Sequence, residues 1–395
     1  MAGIAILFSS EATANQVVAG VPAAARAAHQ ASIALRKRPF SQGHGLVLVA
    51  GGWQPSPLCR AELMRLAPEF AVGHGVPGAL WANPSCVVLQ GEALVETADI
   101  ERLLDNPNAP VAGSYRCPRD LITGGARESA TIQRERLERA GDTIIAATAK
   151  PTDGIVSRHL NRPVSQAMTR SLLRFPGVEP IHATLAAAAI GIVMAICLFL
   201  GGPGGLVAGA ILFQLASIVD GVDGEVARAT FRTSRTGAML DSVTDALTNL
   251  AFLAGVSANL WIQGDYGPAT AGTVGLMLLV TGLYLIGATA RARGGPFTFD
   301  AVKQRVNARK SVIMQWLTWL TMRDFFAAAC AVMIILDQAG IMLVLFAIVT
   351  AGWLLVTLAV LARPVPERLA LQPARQPVSI ARAGRPGPGD IRAFR

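Results

Sequence analysis

The sequence predicts two parts of different fold class. An α/β soluble N-terminal domain over residues 1–150 precedes an all-α domain of six membrane spans over residues 179–362. Of the 395 residues, 52% are hydrophobic and only 15% are charged, against roughly 25% charged residues in an ordinary soluble protein. The mean hydropathy of +0.44 favours several membrane spans over one large soluble core. Strand-like and helix-like stretches alternate in the first part, as in a mostly parallel sheet covered by helices.

Charge and cysteine content argue against a nucleic-acid-binding protein and a disulfide scaffold. The 35 Lys and Arg residues outnumber the 26 Asp and Glu residues, for a net charge of +9. In a membrane protein, basic cytoplasmic loops explain such an excess, so no nucleic-acid partner is expected. The five cysteines are scattered, odd in number and never spaced Cys-x-x-Cys, which excludes a disulfide scaffold.

The first part contains four predicted strands and four predicted helices. The strand-like runs are Gly3–Phe8, Gly45–Ala50, Cys86–Gln90 and Asp142–Ala147. The helix-like stretches are Ala12–Lys37, Ala61–Leu66, Val95–Leu104 and Ser129–Ala140. Because the N-terminus has no basic region typical of a signal peptide, we expect this domain to lie in the cytoplasm.

Six apolar stretches follow, each near the roughly 17–25 residues that cross a bilayer. They are Ala183–Leu200, Pro203–Val219, Ala246–Gln263, Pro268–Ala290, a weaker one near Leu320–Leu336, and Ile341–Ala362. Lys and Arg occur before the first span, in alternate loops, and after the sixth span, whereas the other three loops contain none. This distribution predicts a multi-pass protein of the inner (cytoplasmic) membrane with both termini in the cytoplasm.

Two basic segments flank the membrane domain. Residues 151–178 are predicted to form a basic amphipathic juxtamembrane helix, either as a lipid anchor or to bind a substrate phosphate. Its arginines and apolar residues are Arg158, Arg162, Arg170, Arg174, Ile155, Leu160 and Leu172. The tail 363–395 is rich in Pro and Arg, so we expect it to be disordered and to contact anionic lipid.

Four aspartates with helical spacing lie in and beside the second and third spans. Asp220 and Asp223 are three residues apart on one helix, and Asp241 and Asp245 are four residues apart on the next. Because these helices are consecutive and antiparallel, the four carboxylates can converge in one cavity. Divalent cations relieve the repulsion among such groups, and oxygen ligands favour Mg²⁺ or Mn²⁺. An ionisable residue within a span is functional by default, although a loop of solvated charges is the alternative.

Small and basic residues continue the two aspartate faces. They are Gly224, Ala227 and Arg228 on the first helix and Gly237 on the second. The small residues leave room for a ligand to approach the backbone, and the guanidinium of Arg228 is suited to a phosphate.

The whole pattern Asp-x-x-Asp-Gly-x-x-Ala-Arg, eight residues, Gly-x-x-x-Asp-x-x-x-Asp over residues 220–245 resembles the signature of the CDP-alcohol phosphotransferases, also called CDP-alcohol phosphatidyltransferases. Every specified position matches. The resemblance implies six membrane helices around a site for two divalent ions that opens to the cytoplasm. It also implies a reaction in which an acceptor hydroxyl displaces CMP from a CDP-alcohol, and a homodimer.

The resemblance further implies roles for individual residues. Asp220, Asp223 and Asp241 would hold the metal ions, and Asp245 would complete the metal site and act as the base. The pocket for the CDP group would be lined by Gly224, Ala227, Arg228 and Gly237.

Residues 150–165 resemble the linker of bifunctional family members that join an inositol-1-phosphate cytidylyltransferase to a di-myo-inositol-phosphate-phosphate synthase. The first part is similar to a nucleotidyltransferase only in layout. Its first strand runs into Phe8–Asn15, which has no glycine and no basic residue, whereas nucleotidyltransferases cradle a triphosphate in a glycine-rich basic loop. Gly91-Glu92 occupies the position of a metal-binding Gly-Asp. We therefore expect a degenerate, non-catalytic domain that serves structure, regulation or partner binding.

Two further positions leave their roles open. Many relatives carry Thr-Pro-Asn-x-x-Thr before the first span, where this chain has Glu179–Thr184, and His182 is interpreted as an interfacial residue. Arg323 and Asp324 form either a structural charge pair or a contact to the acceptor.

The sequence thus predicts a phosphotransferase with a CDP-alcohol donor and either a polyol-phosphate or a lipid acceptor, surrounded by membrane lipids. The product would be an inositol-type or lipid phosphodiester. An intramembrane prenyltransferase also uses aspartate-bound Mg²⁺ on a diphosphate, but its aspartate motifs lie far apart in sequence, whereas these four lie within 26 residues. A non-enzymatic scaffold or transporter is the third class, and the internal repeat that transporters often show is not found.

Overall fold

The computed structural model describes residues 3–37, 45–49, 52–73, 86–115, 130–150, 153–292 and 323–361. We call residues 3–150 the front domain. Its strands are β1 (Gly3–Phe8), β2 (Val17–Val18), β3 (Val21–Pro22), β4 (Gly45–Val49), β5 (Phe70–Val72), β6 (Cys86–Gln90) and β7 (Ser114–Tyr115). Its helices are α1 (Glu11–Asn15), α2 (Ala23–Arg36), α3 (Pro57–Leu66), α4 (Thr97–Asp105) and α5 (Ala130–Ala146).

Five strands of the front domain form one sheet in the order β5-β4-β1-β6-β7. The pairs β4–β5, β1–β4 and β1–β6 are parallel, and β7 runs antiparallel to β6. The central strand β1 is apolar and buried from Ile4 to Phe8, as expected for a strand covered on both faces. The predicted α/β class with a parallel sheet is confirmed.

The predicted helix over Ala12–Lys37 is wrong in its middle. Helix α1 ends at Asn15, and β2 and β3 form a short hairpin before α2 begins. The hairpin turns through Ala19 (φ +46°) and Gly20 (φ +81°), and glycine adopts such positive φ values without steric cost. A local turn therefore interrupts a stretch whose alanine content indicated one helix.

The predicted strand over Asp142–Ala147 is also wrong, because α5 continues to Ala146. Leu137 and Ile145 are both buried and lie just over two helical turns apart, on one face of α5. The apolar run at 142–147 therefore extends the buried face of the helix rather than adding a strand.

The second part is helical. A turn of π-helix (Ser157–Asn161) leads into α6 (Arg162–Leu172), and we call residues 153–172 the linker helix. The described residues then contain α7 (Pro180–Leu200), α8 (Gly202–Ala229), α9 (Arg235–Ile262), α10 (Tyr266–Ala292), α11 (Arg323–Ile335) and α12 (Ala339–Leu361).

Each predicted span falls on one of these six helices. Four of them (α7, α8, α10 and α12) contain stretches long and apolar enough to cross a membrane, judged by length and composition. Helix α11 is a shorter apolar helix. The basic loop 293–310 and the tail 363–395, on which the predicted orientation partly rests, lie outside the described residues.

Helices α7, α8 and α9 pack closely through glycines and aromatic rings. A side chain at Gly209 of α8 or Gly255 of α9 would collide with Leu198 of α7, so small residues set the helix spacing. Phe213 and Phe252 stack with centroids 4.0 Å apart, which adds a directional aromatic contact. This packing fixes α8 against α9, the two helices that carry the four aspartates.

Candidate metal centre

Three of the four predicted aspartates come together between α8 and α9. Asp220, Asp241 and Asp245 each offer one carboxylate oxygen, and these oxygens lie within 4.8 Å of one another. All three residues are half-buried. Oxygens bound to one Mg²⁺ at about 2.1 Å can lie up to about 4.2 Å apart, so small side-chain rotations would let these three share an ion. The donor set consists of hard oxygens, which fits Mg²⁺ or Mn²⁺.

The fourth aspartate lies beside this cluster and has a polar partner of its own. Asp223 is buried, and its Oδ2 accepts a hydrogen bond of 2.6 Å from the Thr184 hydroxyl on α7. Its carboxylate is near enough to Asp241 for their charges to interact. The metal-ligand role of Asp223 stays a prediction, with Thr184 as the residue that orients it.

Arg228 lies over Gly224 on the same helix. A Cβ at Gly224 would stand 2.9 Å from Nη1 of Arg228, so glycine makes room for the guanidinium. Nε of Arg228 donates to the Thr148 carbonyl at 2.8 Å, which anchors the side chain to the end of the front domain. Ala227 is half-buried beside it, and its place in a CDP pocket stays a prediction.

Gly237 begins the aspartate face of α9 and has a structural explanation in the helix cap. Its N–H donates to Oγ of the N-cap residue Ser234 at 2.9 Å. A Cβ at Gly237 would stand 2.9 Å from the same oxygen. Its predicted contact to CDP is a separate role that this geometry does not require.

Glu225 joins α8 to the linker helix on the side away from the aspartates. This fully buried carboxylate accepts hydrogen bonds from Arg162 (2.8 Å), Ser165 (2.7 Å) and Thr169 (2.7 Å). Three donors compensate the cost of burying its charge. Arg162, which the sequence grouped with membrane-surface arginines, instead packs against α8.

Arg162 also binds Asp153, at the start of the linker helix, at 2.7 Å. Burial alone would raise the pKa of the Asp153 carboxyl, but the hydrogen bond to Arg162 and its charge lower that pKa below its ordinary value. The pair therefore stays ionised at neutral pH and holds the linker helix in place.

Asp324 forms hydrogen bonds to two other helices, a contact that neither of the two sequence interpretations specified. Its Oδ1 accepts hydrogen bonds from Asn161 and Ser217, both at 2.9 Å. These contacts tie α11 to the linker helix and to α8. The side chain of Arg323 lies outside the described residues.

Sequence reasoning missed Thr184, and it missed Asn249 on the face of α9 that carries the aspartates. Thr184 was noted only as part of an altered motif, and its contact to Asp223 joins residues 39 positions apart. Asn249 lies one helical turn beyond Asp245, and its Oδ1 is buried without a hydrogen-bond partner among the described residues. The four-residue spacing from Gly237 through Asp241 and Asp245 would have indicated Asn249.

Comparison with known proteins finds a family match for the helical part. Residues 180–371 match the family model described as CDP-alcohol phosphatidyltransferase. This part of the chain is similar to the CDP-alcohol phosphatidyltransferases. The resemblance predicted from residues 220–245 is confirmed.

Four similar proteins carry the name bifunctional IPC transferase and DIPP synthase, and three of them show the extent of the match. The protein from Thermococcus kodakarensis is 36% identical over 177 residues, which cover 45% of this chain and 38% of the relative. The Archaeoglobus fulgidus protein is 31% identical over 157 residues, 39% of this chain and 31% of the relative. The Aquifex aeolicus protein is 35% identical over 135 residues, 34% of this chain and 30% of the relative. The chain thus matches well under half the length of each relative.

We predict that Thr184→Val raises the Mg²⁺ concentration for half-maximal activity about 10–100-fold, because a lost orienting hydrogen bond weakens metal binding by this order. Thr184→Ser keeps the hydroxyl and should behave like the natural protein. Titration of CMP release against Mg²⁺ measures the difference. Equal Mg²⁺ dependence in the Val and Ser variants would show that the contact to Asp223 does not orient a metal ligand.

Proposed function

We propose that this protein is an integral membrane phosphotransferase that transfers a phospho-alcohol from a CDP-alcohol to an acceptor hydroxyl and releases CMP. The observation that carries the proposal is the convergence of Asp220, Asp241 and Asp245 between two helices of the part that is similar to the CDP-alcohol phosphatidyltransferases. A cavity that gathers carboxylates at membrane helices is suited to bind cations and, through them, an anionic donor.

The three clustered aspartates and Asp223 would hold two divalent ions, Mg²⁺ or Mn²⁺. When bound, such ions neutralise the charge of a pyrophosphate and stabilise the leaving oxygen. Arg228, anchored by the Thr148 carbonyl, presents its guanidinium beside this cluster and would bind a phosphate of the donor. The missing side chain at Gly224 gives that guanidinium its space against α8.

Asp245 would act as the base in the transfer. Its carboxylate would take the proton of the acceptor hydroxyl as the acceptor oxygen bonds to the phosphorus that bears the alcohol. The bond from that phosphorus to the oxygen bridging the two phosphates breaks, and the electron pair leaves with CMP. The position of Asp245 within the carboxylate cluster supports this role, because the reacting oxygen must lie next to the bound donor.

The acceptor is proposed to be an inositol-type polyol phosphate, with a lipid alcohol as the alternative. The names of the relatives favour the first, since each is called a DIPP synthase. A cavity of about 460 Å³ beside the linker helix has basic side chains suited to a phosphate. Its basic residues are Lys150 and Arg158, with Arg162 and Arg170, which are already paired with Asp153 and Asp142. This cavity supports a phosphate-binding role for the linker, with lipid anchoring by Ile155 and Leu160 on its exposed side.

The protein is proposed to lie in the inner membrane with the front domain and the site both on the cytoplasmic side. The front domain contacts the turn between α8 and α9 directly, for example through Arg65 and the Thr230 carbonyl. A cytoplasmic front domain therefore requires a cytoplasmic turn between the two aspartate helices. This agrees with the excess of Lys and Arg in alternate loops.

The front domain is proposed to be non-catalytic. Glu92 is buried, and its Oε1 accepts hydrogen bonds from the Ser9 N–H (2.7 Å), the Ser9 hydroxyl (2.6 Å) and the Thr13 hydroxyl (2.7 Å). A carboxylate thus takes the donors that follow β1, where a nucleotidyltransferase would direct donors to a triphosphate. Its negative charge would also repel that ligand.

We predict that Asp245→Asn lowers the rate of CMP release about 10²–10⁴-fold, the usual contribution of a general base. The assay supplies detergent-solubilised or vesicle-bound protein with Mg²⁺ and a panel of CDP-alcohols, with and without inositol phosphate or a lipid alcohol. Mass spectrometry of the product separates the two acceptors. Asp337→Asn is the matched control, because Asp337 lies outside the site with φ +61°, which asparagine tolerates. Undiminished release by the Asp245 variant, or no release from any CDP-alcohol, would contradict the proposal.

For the front domain we predict no pyrophosphate release from CTP and inositol 1-phosphate under conditions in which the same preparation releases CMP from a supplied CDP-alcohol. The physical reason is that Glu92 already binds the donors of the loop after β1. A coupled pyrophosphate assay makes this measurement. Pyrophosphate release that disappears in Glu92→Gln would show instead that Glu92 serves a cytidylyltransferase site.

A further inference from the structure

The turn that joins the two aspartate helices inserts into the front domain. Helix α8 ends at Ala229 and α9 begins at Arg235. Between them, the Phe231 ring packs against the hydrophobic core of the front domain. Its centroid lies 4.3 Å from that of His29, and the guanidinium carbon of Arg26 lies 4.9 Å from the ring centroid. Phe231 thus reaches from the transferase domain into the other domain.

Phe231 adopts a backbone conformation that a phenylalanine rarely takes. Its φ is +56°, in the left-handed region that costs free energy for a bulky residue. Such a conformation persists only when contacts with surrounding residues stabilise it enough to offset its cost. The contacts of the ring with Arg26 and His29 supply that constraint.

Two arginines of the front domain bind the carbonyl end of α8. Nη2 of Arg26 donates to the Ala229 carbonyl at 2.6 Å. Arg65 donates to the Thr230 carbonyl at 2.8 Å and to the Phe231 carbonyl at 3.2 Å. The last carbonyls of a helix carry partial negative charge, and hydrogen bonds from a charged donor to such groups are stronger than neutral ones.

The environment of Arg26 shows that its charge depends on the contact with the turn. It is 4% exposed and forms no ion pair with any carboxylate in the described part of the chain. Burial lowers its pKa to about 10, so it is still charged at neutral pH. The Val18, Ala19 and Ala229 carbonyls, together with the Phe231 ring, compensate this charge. Separation of the turn would leave the cation without the Ala229 carbonyl and the aromatic face.

Arg232, also in the α8–α9 turn, forms two ion pairs at the edge of the interface with the front domain. Its guanidinium binds Glu62 of α3 at 2.9 Å and Glu179, before α7, at 2.8 Å. The turn is therefore bound by the front domain on one side and by the residue that precedes α7 on the other.

The part of α9 that carries Asp241 and Asp245 is not buried in the described structure. In the described residues, its first buried position is Thr248, three residues beyond Asp245. Close packing of α9 against α7 begins at Thr248, and the turn fixes the other end of the segment that carries Asp241 and Asp245.

We propose that the front domain is a positioning module of the transferase. It binds the α8–α9 turn through Phe231, Arg26 and Arg65, and so sets the separation between the aspartates of α8 and those of α9. Phe231 is a positioning residue, since it acts through the two helices and does not touch the site. The catalytic part of this inference rests on the proposed function, whereas the structural part does not.

The test is Phe231→Asn in the full-length protein. Asparagine tolerates the left-handed conformation but removes the ring, so the turn can form without its anchor. We expect amide hydrogen exchange across residues 237–247 to quicken about 10-fold or more, because this segment opens more often. We also expect kcat for CMP release to fall and the half-saturating Mg²⁺ concentration to rise about 10-fold, with KM for the CDP-alcohol changing less.

Arg102→Met is the control. Arg102 forms an exposed ion pair with Asp99 on α4, away from the turn, and neither exchange nor activity should change. If Phe231→Asn does not fold, Arg65→Met removes the two carbonyl contacts together with the ion pair to Glu62, and it should shift the same readouts in the same direction.

Unchanged exchange in residues 237–247 in a folded Phe231 or Arg65 variant would overturn the proposal. A second combination of results would also overturn it. Faster exchange in α2 and the turn would show that the front domain has detached, and unchanged Mg²⁺ dependence and kcat would then show that its detachment does not disturb the site. Hydrogen exchange needs no substrate. It therefore tests the positioning role even if the natural protein releases no CMP, a result that would contradict only the proposed function.

Discussion

Carboxylates whose oxygens lie within 4.8 Å of one another repel each other, and water at a membrane interface screens them less than bulk solvent does. Such a group is stable when cations share its charge. Most features of the site follow from this constraint. Thr184 orients the one buried aspartate, Gly224 admits a guanidinium beside the cluster, and Arg228 adds positive charge where an anionic donor would bind.

The constraint also explains why α8 is held from two sides. Its last two turns carry Glu225, which three side chains of the linker helix bind. Its carbonyl end is held by Arg26 and Arg65 of the front domain. Both interfaces use charged groups that are buried and partnered, and these lose more free energy when separated than apolar contacts of similar size. The helix that carries Asp220 and Asp223 is thus fixed before any ligand binds.

The sequence was informative where function depends on local spacing. Asp220, Asp241 and Asp245 could be placed together because helical periodicity and the antiparallel connection determine which residues meet. The class of the front domain followed from β1 and β6, whose apolar runs are unambiguous. The errors at 142–147 and within 12–37 arose where local composition suits two structures and tertiary contacts or a positive-φ turn decide.

The remaining part of the site depends on contacts between residues distant in sequence. Thr184 meets Asp223 across 39 positions, and Arg26 meets Ala229 across 203. No periodicity encodes such pairs. Phe231 is the clearest case, since an aromatic residue in a polar turn gives no sign that it enters another domain. A single sequence therefore locates the chemistry of this protein better than the contacts that position it.

Anomalous diffraction at the manganese edge, from crystals grown with Mn²⁺ and a CDP-alcohol, tests the central claim most directly. We expect two manganese peaks between α8 and α9, bounded by Asp220, Asp223, Asp241 and Asp245, with the donor pyrophosphate in contact with both ions. Manganese bound elsewhere, or a CDP-alcohol seated away from these carboxylates, would contradict the account.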